Sequence, residues 1–314
     1  MTTPPAPPPA ATAPRAPHAV SRLRAERLAR SAKPFLARGG PSGERCAGCR
    51  LRPSHCLCAL RPQVPTRAGF CLLMADTEPL KPSNTGWLVA DVVADTWAFG
   101  WSRTAVDPGL LALLADPQWQ PVLVFPGEFV PPERVVTALP PSAEGGKKPL
   151  FVLLDGTWSE ARKMFRKSPY LDALPVLSLH PEQVSNYRLR RSTHEHHFCT
   201  SEVAALCFEL AGEQRAADTL AAWLDVFTDH YLSIRQQLPL DWASEPHQRL
   251  QALAVPARGN AGRAALSPES PAPPAAPAAA ATAASPGSRL RWGSWPECLA
   301  APPSAPCPPT PLSA

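Results

Sequence analysis

The sequence lacks several features that define common classes of protein. It contains no run of about 18 apolar residues, the length that a membrane-spanning helix needs. Its first residues, Met1-Thr2-Thr3-Pro4-Pro5, have neither the charged nor the apolar region of a secretory signal peptide. A G-x-x-x-x-G-K-[ST] motif is absent, which excludes a P-loop, and no G-x-G-x-x-G follows the first apolar run, so a Rossmann dinucleotide site is not supported. We therefore expect a cytoplasmic protein with no segment in a membrane.

Proline is abundant but unevenly distributed. Seven of the 42 prolines lie in residues 1–20 and fourteen in residues 255–314. Such Pro/Ala-rich tracts bury too little apolar surface to offset the entropy of ordering, so both ends are predicted to be disordered. The predicted organisation is a disordered lead-in over 1–20, a basic helix and cysteine loop over 21–68, an α/β domain over 69–240 and a disordered tail over 255–314.

The charge of the chain is also uneven. Residues 15–67 carry twelve Lys and Arg but only two acidic residues, although the net charge of the whole chain is only +5. A basic segment on a mildly acidic body favours a polyanionic partner, with nucleic acid as the first candidate and an anionic membrane surface as the second. The predicted phosphate contacts are Arg22, Arg24, Arg27, Arg30, Arg45, Arg50, Arg52, Arg61, Arg162, Lys163, Arg166 and Lys167.

Four of the nine cysteines lie within thirteen residues, as Cys46-x-x-Cys49 and Cys56-x-Cys58. In a chain predicted to stay in the cytoplasm, this crowding favours metal binding over disulfides. Four thiolates around a tetrahedral zinc ion leave no open coordination position, so the zinc would be structural. Two alternatives stay open at this point: His55 could replace one thiolate, or the four thiols could be unrelated.

The most informative stretch is the apolar run 150–154 with the residues that follow it. The run predicts a strand buried on both faces, as in a parallel sheet. A turn at Asp155-Gly156 follows, and Thr157 with Glu160 forms the capping box of a helix. An acid and a hydroxyl thus stand at the carboxyl end of a buried strand, where open α/β sheets bind ligands. The alternative is a capped helix with a solvated basic face.

Similar apolar runs recur along the chain and predict a mainly parallel sheet. Asn84 or Thr85 is expected to cap the helix after the first strand, which makes this turn either an anion site or an ordinary connection. Ser21 is a candidate N-cap of the first helix. Besides the central strand, the predicted strands are residues 69–74, 96–101, 121–127 and 174–179, and the predicted helices are residues 21–30, 87–93, 108–115 and 203–238, the last one with a possible break at Gly212.

Six motifs in order resemble the DTW-domain family over roughly residues 21–240, and within it the bacterial tRNA-uridine aminocarboxypropyltransferases. The D-x-T-W signature reads Asp155-Gly156-Thr157-Trp158, and the cysteine cluster precedes the first strand. The remaining motifs are Lys81-Pro82-Ser83-Asn84-Thr85-Gly86, Phe125-Pro126, Tyr187-Arg188-Leu189-Arg190 and Thr200-x-Glu202. The Pro/Ala tails and a histidine-rich insert over 194–197 depart from the family pattern without touching a motif.

The resemblance implies a SPOUT-like α/β fold with helices on both faces of the sheet, a knotted C-terminal part and S-adenosylmethionine as co-substrate. Such enzymes transfer the 3-amino-3-carboxypropyl group to N3 of a uridine, here at position 47 of the tRNA variable loop, giving acp3U and methylthioadenosine. Asp155 is the first candidate for the base that takes the N3 proton, and Glu202 is the second. The expected cofactor-binding residues are Asn84, Thr85, Phe125, Pro126, Asp155, Thr157, Trp158, Tyr187, Arg188 and Thr200.

Two other functions remain compatible with these motifs. A SPOUT-type RNA methyltransferase would use the same fold and cofactor, because the two reactions differ only in which carbon next to the sulfonium faces the nucleophile. A non-catalytic, zinc-bearing RNA-binding protein would use the D-x-T-W turn as a helix cap alone. The oligomeric state is not indicated by the sequence.

Overall fold

One parallel sheet organises the part of the chain that the structure describes. The structure, a computed structural model, describes residues 16–32, 44–139, 146–179 and 198–254. Within these ranges the strands are β1 (Gly69–Met74), β2 (Thr96–Gly100), β3 (Trp119–Val124), β4 (Val135–Val136), β5 (Lys148–Asp155) and β6 (Val176–Leu177). The helices are α1 (Ala19–Ala29), α2 (Gly86–Val92), α3 (Pro108–Ala115), α4 (Trp158–Arg166), α5 (Thr200–Leu210), α6 (Gln214–Gln236) and α7 (Glu245–Ala254).

The strand order is β2-β1-β5-β3-β6-β4, and every pair is parallel. The predicted central strand β5 lies between β1 and β3, with Met74 opposite Asp155 at the end of the β1 ladder. In a parallel sheet all carboxyl ends meet at one edge. The segments that leave β1 and β3 therefore both flank the end of β5, and this edge carries the predicted site.

Helices cover both faces of the sheet, as predicted. Successive side chains of a strand point to opposite faces, so β1 and β5 supply two separate apolar surfaces. Phe70, Leu72, Phe151 and Leu153 are buried in a core with α2, α5 and α6. Their neighbours along the same strands are buried in a second core with α3 and α4. The continuous apolar runs of these strands follow from this two-sided burial.

Several elements differ in detail from the sequence predictions. The prediction that Ser21 caps α1 is wrong, because α1 begins at Ala19 and the His18 ring accepts the hydrogen bond from Ser21 N at 3.2 Å. The predicted break of the long helix is confirmed at Gly212, which has a left-handed φ of +72° and separates α5 from α6. Strand β4 was not predicted from the sequence, because it has only two residues.

Helix α7 was not predicted either, and it lies beyond the predicted end of the domain at residue 240. Its His247 is buried and contacts His230 of α6, with the two Nε2 atoms 3.0 Å apart. The His230 Nδ1 lies 2.9 Å from the carbonyl oxygen of His55, in the cysteine loop. Burial lowers the pKa of His230 to about 4, so this ring is neutral at physiological pH. The buried His230–His247 pair and the His230–His55 contact thus hold α7 and the cysteine loop against α6.

Some expectations fall outside the described residues. The connection from β6 to α5, where a C-terminal knot would form, includes residues 180–197, so the knot stays a prediction. The histidine-rich insert and both proline-rich ends also lie outside the described residues for most of their length. In the part of the chain that the structure describes, no helix has both the length and the apolar character required to cross a membrane.

Candidate functional site

Asp155, the last residue of β5, is the centre of the candidate site. Its side chain is only 2 % exposed, and both carboxylate oxygens accept hydrogen bonds. Asn84 Nδ2 donates to Oδ2 and Thr200 Oγ1 donates to Oδ1, each at 2.8 Å. Three residues predicted to bind the cofactor, from three distant parts of the chain, are therefore in direct contact.

Two helices begin beside this carboxylate. Thr85 occupies the N-cap position of α2, and the Asn84 side chain before it accepts a hydrogen bond from Trp87 N at 2.9 Å through its Oδ1. Thr200 is the first residue of α5. The positive ends of the two helix dipoles favour an anionic group here. A Cβ atom on Gly86, the first residue of α2, would lie closer than 3.0 Å to Asp155 Oδ2. Glycine at this position lets the helix approach the carboxylate.

A second buried carboxylate, Glu78, belongs to the same network and was missed in the sequence analysis. Glu78 is fully buried, forms an ion pair with Lys81 and accepts from Asn84 Nδ2 at 3.3 Å. The Asn84 amide therefore donates to two acids, Glu78 and Asp155. The signal available in the sequence was an acid three residues before a lysine, a spacing at which the side chains of one helical turn meet.

Glu202, the second candidate base, lies in the first turn of α5. Its carboxylate accepts from Cys199 N at 2.8 Å, which completes the capping of that helix. Thr85 is also at this junction, because its hydroxyl accepts from Ser201 N at 3.4 Å. The N-termini of α2 and α5 are thus in direct contact beside Asp155.

The other described residues of the predicted cofactor site form a separate group on the α4 side of the sheet. Phe125 follows β3, and its ring stacks on that of Trp158, with centroids 5.5 Å apart and planes 15° apart. Thr157 caps α4 in the predicted capping box with Glu160. Trp158 is 37 % exposed, so the stack borders solvent. Tyr187 and Arg188 lie outside the described residues.

Strand alternation explains why the predicted residues divide into two groups. Asp155 points to the same face as Phe151 and Leu153, where α2 and α5 begin. Phe125 and Trp158 lie on the opposite face, above the core that α3 and α4 cover. Both groups stand at the carboxyl edge of the sheet, with the end of β5 between them.

The four-cysteine cluster has the geometry of a metal site. The Sγ atoms of Cys46, Cys49, Cys56 and Cys58 all lie within 4.8 Å of one another. Three of the Sγ–Sγ distances are 3.6 or 3.7 Å, close to the roughly 3.8 Å edge of a tetrahedron around zinc. A Cβ atom on Gly48 would lie 2.7 Å from Cys58 Sγ, so a larger residue would prevent the turn from closing.

The chemistry of the donors also fits zinc. Hydrogen bonding by Cys58 lowers the pKa of the Cys49 thiol, which favours the thiolate, the form that binds metal. His55 is not part of the cluster, because its ring lies against Ser54 Oγ and the carbonyl oxygen of Leu238. The four thiols can therefore hold one structural zinc ion.

We predict that metal analysis of the purified protein gives about one zinc per chain. Cys56→Ser should lower both the zinc content and the melting temperature, because a tetrahedral site loses one of its ligands. Cys307→Ser, which changes a cysteine outside the cluster, is the matched control and should change neither. Folded wild-type protein that contains no zinc would rule out this assignment.

Several arginines predicted to contact phosphate also make contacts within the chain. Arg24 donates to the carbonyl oxygens of Pro79 and Leu80, and Arg27 forms an ion pair with Asp76 at 2.7 Å. Arg61 forms an ion pair with Asp91, a buried residue of α2, at 2.9 Å. By contrast, the basic residues of the α4 segment are exposed: Arg162, Lys163, Arg166 and Lys167.

A family model described as the DTW domain matches residues 43–232, which is more than half of the chain. The matched range contains the four cysteines, Asn84, Asp155 and Thr200. Among solved structures, none matches the chain significantly.

Proposed function

Because the chain belongs to the DTW-domain family, we propose that it is a tRNA-modifying transferase. The proposed reaction moves the 3-amino-3-carboxypropyl group of S-adenosylmethionine to N3 of a uridine at position 47 of the tRNA variable loop. The observation that carries this proposal is the buried carboxylate of Asp155, held by Asn84 and Thr200 at the carboxyl edge of a parallel sheet. Open α/β sheets bind their ligands at this edge.

The residues around Asp155 support two tasks in such a reaction. S-adenosylmethionine, when bound, supplies an electrophilic methylene carbon next to its sulfonium. The chain must orient two reactants and remove the proton from uridine N3, because the deprotonated nitrogen is the better nucleophile. The Asp155 carboxylate accepts from Asn84 Nδ2 and Thr200 Oγ1, which fix the orientation of its two oxygens. In the proposed reaction this oriented carboxylate accepts the N3 proton or holds the ammonium group of the cofactor.

The aromatic stack on the α4 side supports recognition of flat ligands. Phe129 and Trp158 are each 37 % exposed, and the Arg162 guanidinium lies 5.0 Å from the centre of the Phe129 ring. Aromatic and guanidinium planes are the groups on which unpaired bases stack in single-stranded RNA. We assign the adenine ring of the cofactor or the target base to this surface.

The product distinguishes this function from the alternatives. The full-length chain is incubated with S-adenosylmethionine and with tRNA from a strain that lacks the gene, and the modified uridine is analysed by mass spectrometry. We expect the mass of the aminocarboxypropyl group on the uridine and release of methylthioadenosine. The mass of a methyl group, with release of S-adenosylhomocysteine, would instead identify an RNA methyltransferase. Binding of tRNA without any product would support the non-catalytic alternative.

The exposed basic residues of α4 give a second prediction, on tRNA binding. Changing Arg162, Lys163, Arg166 and Lys167 together to Gln should weaken binding at least about tenfold near 0.1 M salt, and should reduce the slope of log affinity against log salt by roughly 0.7–0.9 for each lost phosphate contact. Filter binding over a range of salt concentrations measures both quantities.

One variant serves as the control for this prediction, and a second extends the test to α1. Arg235→Gln removes an exposed cation at the end of α6 and should leave the slope unchanged. Arg27→Gln breaks the ion pair with Asp76 and tests whether α1 contributes. An unchanged slope in the α4 variant would show that tRNA binds elsewhere.

A further inference from the structure

Arg50 has an unusual backbone conformation for an arginine. It follows Cys49 directly and has a left-handed φ of 66°. Glycine is the residue that adopts this conformation without strain, and non-glycine residues that persist in it are often found where the strain serves a function. The Arg50 side chain is only 2 % exposed, so it is not a surface group that tolerates any conformation.

The buried side chain of Arg50 binds the segment that leads from β1 into the site. Its Nη1 donates to the carbonyl oxygens of Lys81 and Asn84, each at 3.1 Å. The guanidinium lies 4.2 Å from the centre of the Trp87 ring and 5.5 Å from that of Phe227. Arg50 thus connects both ends of the turn before α2, and that turn carries the Asn84 amide that contacts Asp155.

The backbone of Arg50 is held by the cysteine cluster. Arg50 N donates to the carbonyl oxygen of Cys46 at 2.8 Å, and Cys46 N donates to that of Leu51 at 2.7 Å. Trp87, in the first turn of α2, donates from its indole nitrogen to the carbonyl oxygen of Gly48 at 3.2 Å. The turn that holds the four sulfur atoms therefore fixes the position from which the Arg50 guanidinium extends towards α2.

We propose that Arg50 is a positioning residue, through which the four-cysteine centre holds Asn84 and Asp155 in place. It touches no reacting atom, so it acts on the site only through the backbone carbonyls of Lys81 and Asn84. Its effect on turnover rests on the proposed function, whereas its effect on the geometry of Asn84 does not. Metal binding and the order of the site are coupled by this connection.

Arg50→Gly is the variant that tests the connection. It removes the guanidinium while relieving the backbone strain, so the cysteine turn should still close and the zinc content should stay at the wild-type value. We expect kcat to fall about tenfold or more, because small displacements of catalytic groups are costly, with a smaller change in KM for tRNA. The side-chain amide signals of Asn84 in NMR spectra should shift. Gln237→Gly is the matched control, since it relieves the same strain at the exposed end of α6 and should change neither quantity.

Removal of the metal provides a readout independent of turnover. Chelation of zinc from the wild type should shift the Asn84 side-chain amide signals in the same direction as the Arg50→Gly substitution does. Chelation of zinc from the Arg50→Gly variant should cause little additional shift, because the connection is already lost. Arg50→Lys keeps a cation but cannot span two carbonyl groups in a planar fork, so it should restore part of the kcat. If the Arg50→Gly variant does not fold, the kcat and the Asn84 amide signals of Arg50→Lys are compared with those of the wild type.

The proposal would be overturned if the Arg50→Gly variant had the Asn84 signals and the kcat of the wild type. It would also be overturned if the folded variant lost its zinc. A chain that shows no aminocarboxypropyl transfer, but in which Asn84 responds to Arg50→Gly and to chelation as described, would contradict the proposed function and leave the positioning role of Arg50 supported.

Discussion

Asp155→Asn should lower the turnover of group transfer by about 10²-fold or more, the usual scale for loss of a general base. The substitution keeps the shape of the side chain and removes its charge. The new amide can still accept from Asn84 through its oxygen, and it can donate its NH₂ group to Thr200, whose hydroxyl accepts as well as donates. We therefore expect the melting temperature and the affinity for tRNA to change little.

The matched control for this prediction is Asp76→Asn. Asp76 lies just beyond β1 at the same edge of the sheet, but it is exposed and paired with Arg27. The Asp76→Asn variant should transfer the aminocarboxypropyl group at a rate close to that of the wild type. A comparably high rate in Asp155→Asn would mean that Asp155 is not the base, and Glu202→Gln should then be tested. An unfolded Asp155→Asn protein would show that the carboxylate serves to hold the ends of α2 and α5.

Gly86→Ala should lower turnover by about 10²-fold without any change of charge. The added methyl group would lie closer than 3.0 Å to Asp155 Oδ2 and 3.3 Å from Leu72 Cδ1, so α2 and the end of β5 would have to separate. Overpacking of this kind costs about 1–3 kcal/mol of stability. A displacement near 1 Å at a catalytic group costs about 10²-fold in rate. We expect a lower melting temperature together with a loss of turnover of about that size.

Gly100→Ala is the control for the steric argument. Gly100 ends β2 at the same edge of the sheet, and a Cβ atom there would meet only Leu23 Cδ1, at an ordinary 3.7 Å. The stability and turnover of the Gly100→Ala variant should match those of the wild type. Wild-type turnover in Gly86→Ala would show that the close approach of α2 to Asp155 is not needed for activity.

Local patterns in the sequence were sufficient for much of the fold. The apolar run 150–154 predicted the central strand because both faces of a parallel strand are buried, and α3 was predicted with its observed bounds. The capping box of Thr157 and Glu160 was predicted because its partners are three residues apart. The spacing of the four cysteines likewise determined the metal cluster, since its ligands lie within one short loop.

The tertiary structure decided how distant residues combine. Asn84 and Thr200 lie 71 and 45 residues from Asp155, and they meet it because β5 pairs beside β1 and because α2 and α5 begin on one face of the sheet. No local pattern encodes that strand order or that choice of face. Charge content alone could not separate arginines that bind internal carbonyls and carboxylates from those that face solvent. Arg50 was predicted to contact phosphate because its sequence neighbours are basic. Its burial against Trp87 appears only when the cysteine loop packs on α2.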